Sequence, residues 1–510
     1  MSAQPRYQLS ARATGTGFFG LTVAQLALMA AAIVVAAKTV TGGPLSMARV
    51  AGGAGVLAAA AVAAFAPWRG RPVYEAAPAV ARFSLRAVTR RNRWFARLPL
   101  LGADGAPTGD PRLPACLDGL EVLAVDRPPW AGARRTLAPL GVVRDCRTGT
   151  MTAVLSVKGA EFQLVEEGEQ HARIFAWGRV LASFARQSSP VARICWHEWS
   201  SPAPLSEHLA WLAPNIDHDA PAAPHYRELL GGSAISVSRH ELRVTITVDP
   251  RRIGRSGGRS SKAKRATVDV VLTMVRSLAD RCRDAGLVVA DPLSAAEIAD
   301  AVRLGADPAI LASAHRGPRR LEVRAGLIPA VHVAPLAVDT AWDHVRVDGA
   351  IHRGLWVSMW PTVEVGPRWL ESLLLDTAGT RTITMVMEPV SPRKSRAEIR
   401  HEAVKVQGDI HNRSSHDFHI PVELQRARAD LDRREAELSA GFAEYRYLAL
   451  IDLCAPTLDE LDELTNTYID VAAGCGLEVR ALDGRHDAAW ACSLPIGRAP
   501  DRDLIGGLTG

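Results

Sequence analysis

The sequence predicts a transmembrane helical hairpin followed by an α+β cytoplasmic part made of two related sandwich units. Three observations carry this. Two apolar segments lie close together near the N-terminus, a dense arginine flank comes after them, and the remainder of the 510 residues repeats one order of strand and helix patterns. The first apolar segment, Gly17 to Ala37, holds no charge, and the second, Ala48 to Ala66, has Arg49 at its outer edge. A helix crosses a bilayer core with about 20 apolar residues, so the first is comfortable and the second short but workable.

Between the two segments, Lys38 to Met47 contains Gly42, Gly43 and Pro44 and reads as a turn. After the second come Arg69, Arg71, Arg82, Arg86, Arg90, Arg91, Arg93 and Arg97, opposed by Glu75 alone. Positive flanks stay on the cytoplasmic side. The expected location is the plasma membrane, multi-pass, with both termini cytoplasmic. A cleaved secretory signal fits less well, because its apolar core runs about 7–15 residues and no second span comes so closely after it.

The formal charge of +6 is concentrated in this flank. A basic strip beside a bilayer is first an electrostatic anchor to anionic lipid. Arg82, Arg86 and Arg90 recur every fourth position, and with Arg91, Arg93 and Arg97 they form the expected juxtamembrane anchor. The seven cysteines are isolated, with no CxxC pair, so neither a zinc ribbon nor a redox dithiol is indicated.

The chain divides into a hairpin (1–68), a basic juxtamembrane segment and linker (69–115), a first α+β unit (116–330) and a second (331–510). In the first unit, Met151, Ala153, Leu155 and Val157 alternate as a strand, and Ile174, Trp177, Leu181 and Phe184 recur at helical spacing. Val191 to Trp196 and Leu242 to Val248 are further strands, and Thr267 to Ala285 a helix ended by Gly286. In the second unit, strands are expected at Leu355 to Met359, Ile383 to Met387 and Leu448 to Leu453. Helices are expected at Arg368 to Leu375, within Glu398 to Ala440 up to a Gly441 cap, and around Leu461 to Val471. A last strand pair is expected at Leu477 to Leu482 and Ala488 to Leu494. Gly286-Leu287-Val288-Val289 and Gly476-Leu477-Glu478-Val479 come directly after corresponding helices. A duplicated sandwich of ferredoxin-like style, sheet on one side and helices on the other, is the simplest architecture.

Chemistry-bearing motifs are sparse. The stretch GRSGGRSSKAK, Gly254 to Lys264, lacks the Gly-Lys-Ser/Thr offset of a phosphate loop. Arg251, Arg252, Arg255, Arg259, Lys262, Lys264 and Arg265 make a basic loop suited to solvent, lipid or an acidic partner. No aromatic residues are interleaved to stack on bases, so direct nucleic-acid binding is disfavoured. His411, His416, Asp417 and His419 are the nearest approach to a metal site, without a second cluster in support. No cofactor is expected. In the hairpin, Thr22 and Gln25 share a helix face with Gly20 nearby, and Gly52, Gly53 and Gly55 narrow the second helix for close packing.

Gly20-Leu21-Thr22-Val23-Ala24-Gln25 at the start of the first span resembles the G-L-T-x-x-Q of the PrgI family, two-span inner-membrane proteins of Gram-positive conjugative type IV secretion. The basic segment through Arg93-Trp94 resembles the stretch after the second span in that family. The rest resembles the non-motor N-terminal region of TraC/TrbE-type conjugation ATPases. That likeness rests on Gly141-Val142-Val143 with the strand Thr152 to Gly159, Trp177-Gly178, the run Arg434-Glu435 through Gly441, and Ala491-Cys492-Ser493-Leu494-Pro495-Ile496-Gly497. The motor domain with its phosphate loop is absent from this sequence. The resemblance implies a non-enzymatic scaffold that docks a separate secretion or conjugation ATPase and other channel membrane proteins, as a homo- or hetero-oligomer. An EccE-like type VII secretion component is the related alternative. A membrane-anchored metal-dependent enzyme using the His411 loop is the alternative of another class.

Overall fold

The computed structural model describes residues 7, 23–44, 46–68, 71–96, 100–101, 107–108, 113–126, 139–159, 161–203, 212–217, 220–232, 237–253, 261–309, 326–328, 334–375, 379–416 and 418–500. Two N-terminal helices, α1 (Val23–Thr41) and α2 (Met47–Phe65), are long and apolar enough to cross a membrane. Ser46 caps α2 by accepting from the backbone N–H of Arg49. Helix α3 (Val73–Val88) comes directly after, its first N–H donating to the Ala66 carbonyl.

Beyond them lies a mixed α/β body around one 14-stranded, antiparallel sheet. Its strands are β1 (Arg93–Phe95), β2 (Leu120–Val125), β3 (Leu140–Asp145), β4 (Met151–Lys158), β5 (Val191–Ala203), β6 (Val237–Val248) and β7 (Val288–Pro292). They continue with β8 (Gly326–Ile328), β9 (Ala337–Thr340), β10 (Val345–Val347), β11 (Ala350–Met359), β12 (Thr380–Pro389), β13 (Tyr445–Ala455) and β14 (Glu478–Ala481). The helices are α4 (Glu167–Phe184), α5 (Ala223–Gly232), α6 (Ser261–Asp284), α7 (Ala295–Ala306), α8 (Glu371–Leu375), α9 (Pro392–Ser415), α10 (Val422–Ser439), α11 (Leu458–Gly474) and α12 (His486–Ser493).

The strand order is β8-β2-β3-β4-β6-β5-β12-β13-β11-β10-β9-β1, with β7 added to β4 and β14 to β11. Outward from the β5·β12 junction, the two halves have the same topology. Strand β4 pairs with β3 through Met151 to Ala153 and with β7 through Leu155 to Lys158. Strand β11 pairs with β10 through Ala350 to His352 and with β14 through Leu355 to Met359. The repeated Gly-Leu phrase marks this equivalence physically. Gly286 and Gly476 take left-handed backbone at φ +82° and +76°, and the next leucine N–H reaches back to Cys282 and Ala472. Each phrase stops a helix and starts a short strand.

Two expectations need correction. The helices are not confined to one side of the sheet. On one face α4 and α6 pack on Leu155, Ile194 and Ile246, and α11 packs on Leu355 and Ile451, with Met385 bridging the two cores. On the other face, α7 and α12 share a core with Val143, Val154 and Val345. Ala488 to Leu494 is not a strand but the body of α12. Every residue from Ala489 to Ser493 is buried, so the segment carries no amphipathic period to reveal a helix. The basic segment after α3 adds an edge strand to the sheet, since β1 pairs with β9.

Helix α12 holds the second face together. Trp490 is fully buried and its Nε1 donates to the Gly305 carbonyl, 2.7 Å away, in the last turn of α7. Trp490→Ala should cost about 3–5 kcal/mol, the range for deleting a buried aromatic side chain. Denaturant unfolding of the detergent-solubilised chain measures this, and a loss under about 1 kcal/mol would show that α12 does not anchor this core.

Candidate membrane-proximal docking site

The hairpin packs through fewer residues than its glycines suggest. A Cβ on Gly53 would lie 2.8 Å from Val40 and 3.3 Å from the Ala36 carbonyl, so Gly53 admits α1. Gly52 and Gly55 have nothing within 4 Å and face away from α1, so they are not packing residues of the hairpin. Gln25 Nε2 donates to the Ala64 carbonyl at 3.0 Å. That carbonyl lies in the last turn of α2, where helical geometry supplies no intrahelical donor. Gly20 and Thr22 lie outside the described residues.

The arginine flank divides in two. Arg86 turns inward and grips Asp487 in the first turn of α12, Nη2 to Oδ2 at 2.5 Å and Nη1 to Oδ1 at 3.4 Å. Asp487 is almost fully buried, while Arg86 keeps some exposure. Burial opposes the charge on Arg86, but the Asp487 charge and hydrogen bond outweigh it and raise the guanidinium pKa. Beside this pair, Phe83 meets Trp342 edge-on with ring centroids 5.2 Å apart. Asn92 and Thr340 exchange backbone and amide hydrogen bonds, and Arg93 pairs with Asp339 at 3.3 Å. Arg82, Arg90 and Arg91 remain exposed, and Arg97 lies outside the described residues.

A second attachment precedes the hairpin. Tyr7 and Val365 exchange two backbone hydrogen bonds of 2.9 and 2.8 Å. The Tyr7 hydroxyl lies 2.6 Å from His171 Nδ1 on α4. Nothing in the sequence around Tyr7 announces this contact, because a single bridge leaves no periodicity.

The basic loop is only partly described. Arg251 forms a fork onto Asp249, and Arg252 donates to the Val191 carbonyl at 2.6 Å, so both are tied to strand ends. Arg265 is exposed, Lys262 and Lys264 lie on α6, and Arg255 and Arg259 fall outside the described residues. Among the described residues no group of three or more His, Cys, Asp and Glu side chains is arranged to hold a metal ion. His411 and His416 are exposed at the end of α9, His419 is exposed beyond it, and Asp417 is outside the described residues.

Sequence reasoning missed the buried histidines. His352 lies between Asp452 Oδ2, 2.9 Å from Nδ1, and the Ala306 carbonyl, 3.0 Å from Nε2. Both neighbours are acceptors, so both ring nitrogens donate and the ring is an imidazolium. Burial works against that charge, but Cys454 and Asp452 outweigh it and hold the pKa well above the usual histidine value. The cation also sits at the C-terminus of α7, where the helix dipole favours it. Cys454 Sγ is 3.7 Å from Nε2, so the trio has the composition of a nucleophilic triad. With Nε2 engaged by Ala306 and all three side chains buried, it acts as a strut between α7 and the second unit.

His197 differs. Its Nδ1 lies 3.0 Å from the Ser493 carbonyl and 3.1 Å from Thr384 Oγ1. Burial pushes its pKa down to about 3, with the Ser493 hydrogen bond opposing and Arg243 adding to the fall. No protein-family model matches the sequence, and no curated protein shows significant similarity to it.

This geometry has consequences for stability. Asp487→Asn removes the charge gripping Arg86 and should cost about 1.5–3 kcal/mol, the worth of hydrogen bonds to a charged group. Trypsin cleavage at Arg90 and Arg91 should then accelerate; unchanged cleavage would show that the pair does not hold α3. For pH, the native state keeps His197 neutral down to about 3, while the unfolded chain takes up its proton near the ordinary 6.5. Stability should therefore fall with acidification between those values, by up to about 1.4 kcal/mol per pH unit from this group. His352 has the opposite sign: its contribution is complete below 6.5 and fades as pH rises through its raised value. Melting temperatures across pH should show a shallower acid decline in His197→Asn than in the parent.

Proposed function

We propose that this chain is a non-enzymatic, membrane-tethered scaffold of a conjugative or type IV-like secretion channel, docking a separate ATPase. The observation that carries the reading is that the body grips the apolar hairpin on both sides. Tyr7, before the first span, bridges to Val365, and Arg86, after the second, is clamped to Asp487. Two attachments to one body are what a hairpin with both ends on one side requires. The arginine flank makes that side the cytoplasm, giving a multi-pass plasma-membrane protein with both termini inside.

Each half of the body reads as a ferredoxin-like unit. The support is the sheet orders β7-β4-β6-β5 and β14-β11-β13-β12, with a helix after the first and third strands of each half and with α5, or α9 and α10, added between the two middle strands. A sheet of this breadth offers a rigid platform, and the motor belongs to the partner ATPase. The secretion assignment itself rests on the PrgI-like and TraC/TrbE-like sequence features.

Affinity isolation of the chain from membranes in mild detergent should bring down an ATPase encoded by the same cell. The purified chain should show no nucleotide turnover of its own. Turnover that accompanies the chain through successive purification steps would reject the scaffold reading.

Topology has its own test. Residues that exchange both backbone hydrogen bonds have Cα atoms about 5.5 Å apart, within disulfide range. Tyr7→Cys with Val365→Cys should therefore form an intramolecular disulfide when isolated membranes are treated with copper phenanthroline as the oxidant, absent from either single variant. Failure to cross-link, or protease access to the body from outside intact cells, would reject the arrangement.

A further inference from the structure

Helix α3 is apolar on two opposite sides. The inward side, with buried Ala76, Phe83 on Trp342 and Arg86 on Asp487, is occupied by the body. The outward side carries Ala77, Ala81, Leu85 and Val88, all exposed. Their spacing of four, four and three residues sets them in one stripe, turned away from Phe83 and Arg86. Leu85 is 66% and Val88 82% exposed, and Phe95, on β1 just beyond, is 64% exposed. Arg82, Arg90 and Arg91 are exposed around the stripe, and the only carboxylate on the helix, Glu75, lies at its far end.

A helix with two apolar sides needs two apolar neighbours, and the body supplies one. Two features identify the other. Helix α3 begins one short turn after α2, with Val73 N–H donating to Ala66, so it starts where the second span ends. The charges around the stripe are arginines, which complement anionic lipid headgroups. We propose that the outward stripe of α3, together with Phe95, seats on an anionic bilayer surface. Helix α3 is then a two-sided adaptor, Leu85 and Val88 in the interface and Phe83 and Arg86 in the body, and it fixes the body's orientation to the membrane. This rests on the reading that α1 and α2 cross the bilayer.

The test uses the full chain with Cys146, the one exposed cysteine among the described residues, replaced by serine. Single cysteines at Leu85, Val88, Val34 of α1 and the exposed Leu229 of α5 carry an environment-sensitive fluorophore. The chain is placed in nanodiscs of phosphatidylcholine, with or without phosphatidylglycerol, containing lipids with a nitroxide at a shallow or deep acyl position. The shallow nitroxide should quench probes at Leu85 and Val88 and leave Leu229 bright, with stronger quenching when phosphatidylglycerol is present. Arg90→Glu with Arg91→Glu should abolish that added quenching. Bright probes at Leu85 and Val88 alongside deep quenching at Val34 would overturn the adaptor while leaving the spans intact. A bright probe at Val34 would overturn the spans themselves. Equal quenching in both lipid compositions would overturn the anionic preference, and blue-shifted probes without nitroxide quenching would assign the stripe to a protein.

Discussion

His197 opposite Thr384 is the pairing to which the rest of the body is referenced. The two residues face each other across the β5·β12 junction, and seven residue pairs carry that ladder. They are also equivalent in the repeat. Val157 pairs with Val289, and Val357 with Val479, which matches Thr152 to His352. The next ladders match Thr245 to Asp452 and Cys195 to Thr382, and so His197 to Thr384. A local two-fold axis therefore passes between them, perpendicular to the sheet. Without this junction the body would be two half-sheets, each presenting a long central strand as a free edge. Its two faces are sealed differently. Ser493 at the end of α12 covers one side, and on the other fully buried Arg381 meets Glu198, which also binds His240 at 2.6 Å. A buried ion pair adds little net stability but strongly penalises loss of either partner, so it favours this register over slipped ones.

The repeat is symmetric in topology and not in chemistry. Thr152 faces Thr247 with hydroxyls 2.9 Å apart in the first unit; His352 faces Cys454 at the matching place in the second. The asymmetry comes from the groups each site receives. Helix α7 delivers the Ala306 carbonyl to the second unit's site, and a terminal helix carbonyl buried without a donor is costly. A threonine pair satisfies itself, whereas an imidazolium can donate to that carbonyl and to Asp452 together. The charge at His352 thus rests on Asp452 and Cys454 of its own unit, while the helix from the other unit supplies its second acceptor.

The sequence reveals the elements whose two sides differ in polarity, even where both are buried, as at Thr245 and Thr247 of β6. Alternation at Leu242 to Val248, helical spacing at Ile174 to Phe184, and the Gly286, Gly441 and Gly476 stops all correspond to local rules visible in a single stretch of chain. It conceals the elements that are apolar on every side and the contacts made at long range. Helix α12 is hidden because Ala-Ala-Trp-Ala-Cys has no polar face. Arg86 looks like its neighbours because a stripe of arginines does not say which one meets an aspartate 401 residues later. The inward turn of Gly53 and the outward turn of Gly52 and Gly55 likewise depend on how α1 lies, which composition does not encode. The Tyr7 bridge has no local signature at all.

Helix α12 explains how a short buried segment ties α3, beside the apolar hairpin, to the two-fold axis. Its first turn holds Asp487 against Arg86 of α3, and its last residue places the Ser493 carbonyl on His197. Between them Trp490 reaches α7, and His486 at the start of the helix accepts from the Gly354 N–H of β11. Eight helical residues span about 12 Å, so one rigid rod connects all four. Gly354 has no side chain where Ala489 crosses, and the two backbones lie close together. The rod is enclosed by close-packed neighbours and has no room to tilt alone. A displacement of α3 relative to the body must therefore either break the Arg86–Asp487 pair or carry α12 with it. Of these contacts the pair is the one made by a side chain that water still reaches, Arg86 at 29% exposure, which makes it the first place the path would open.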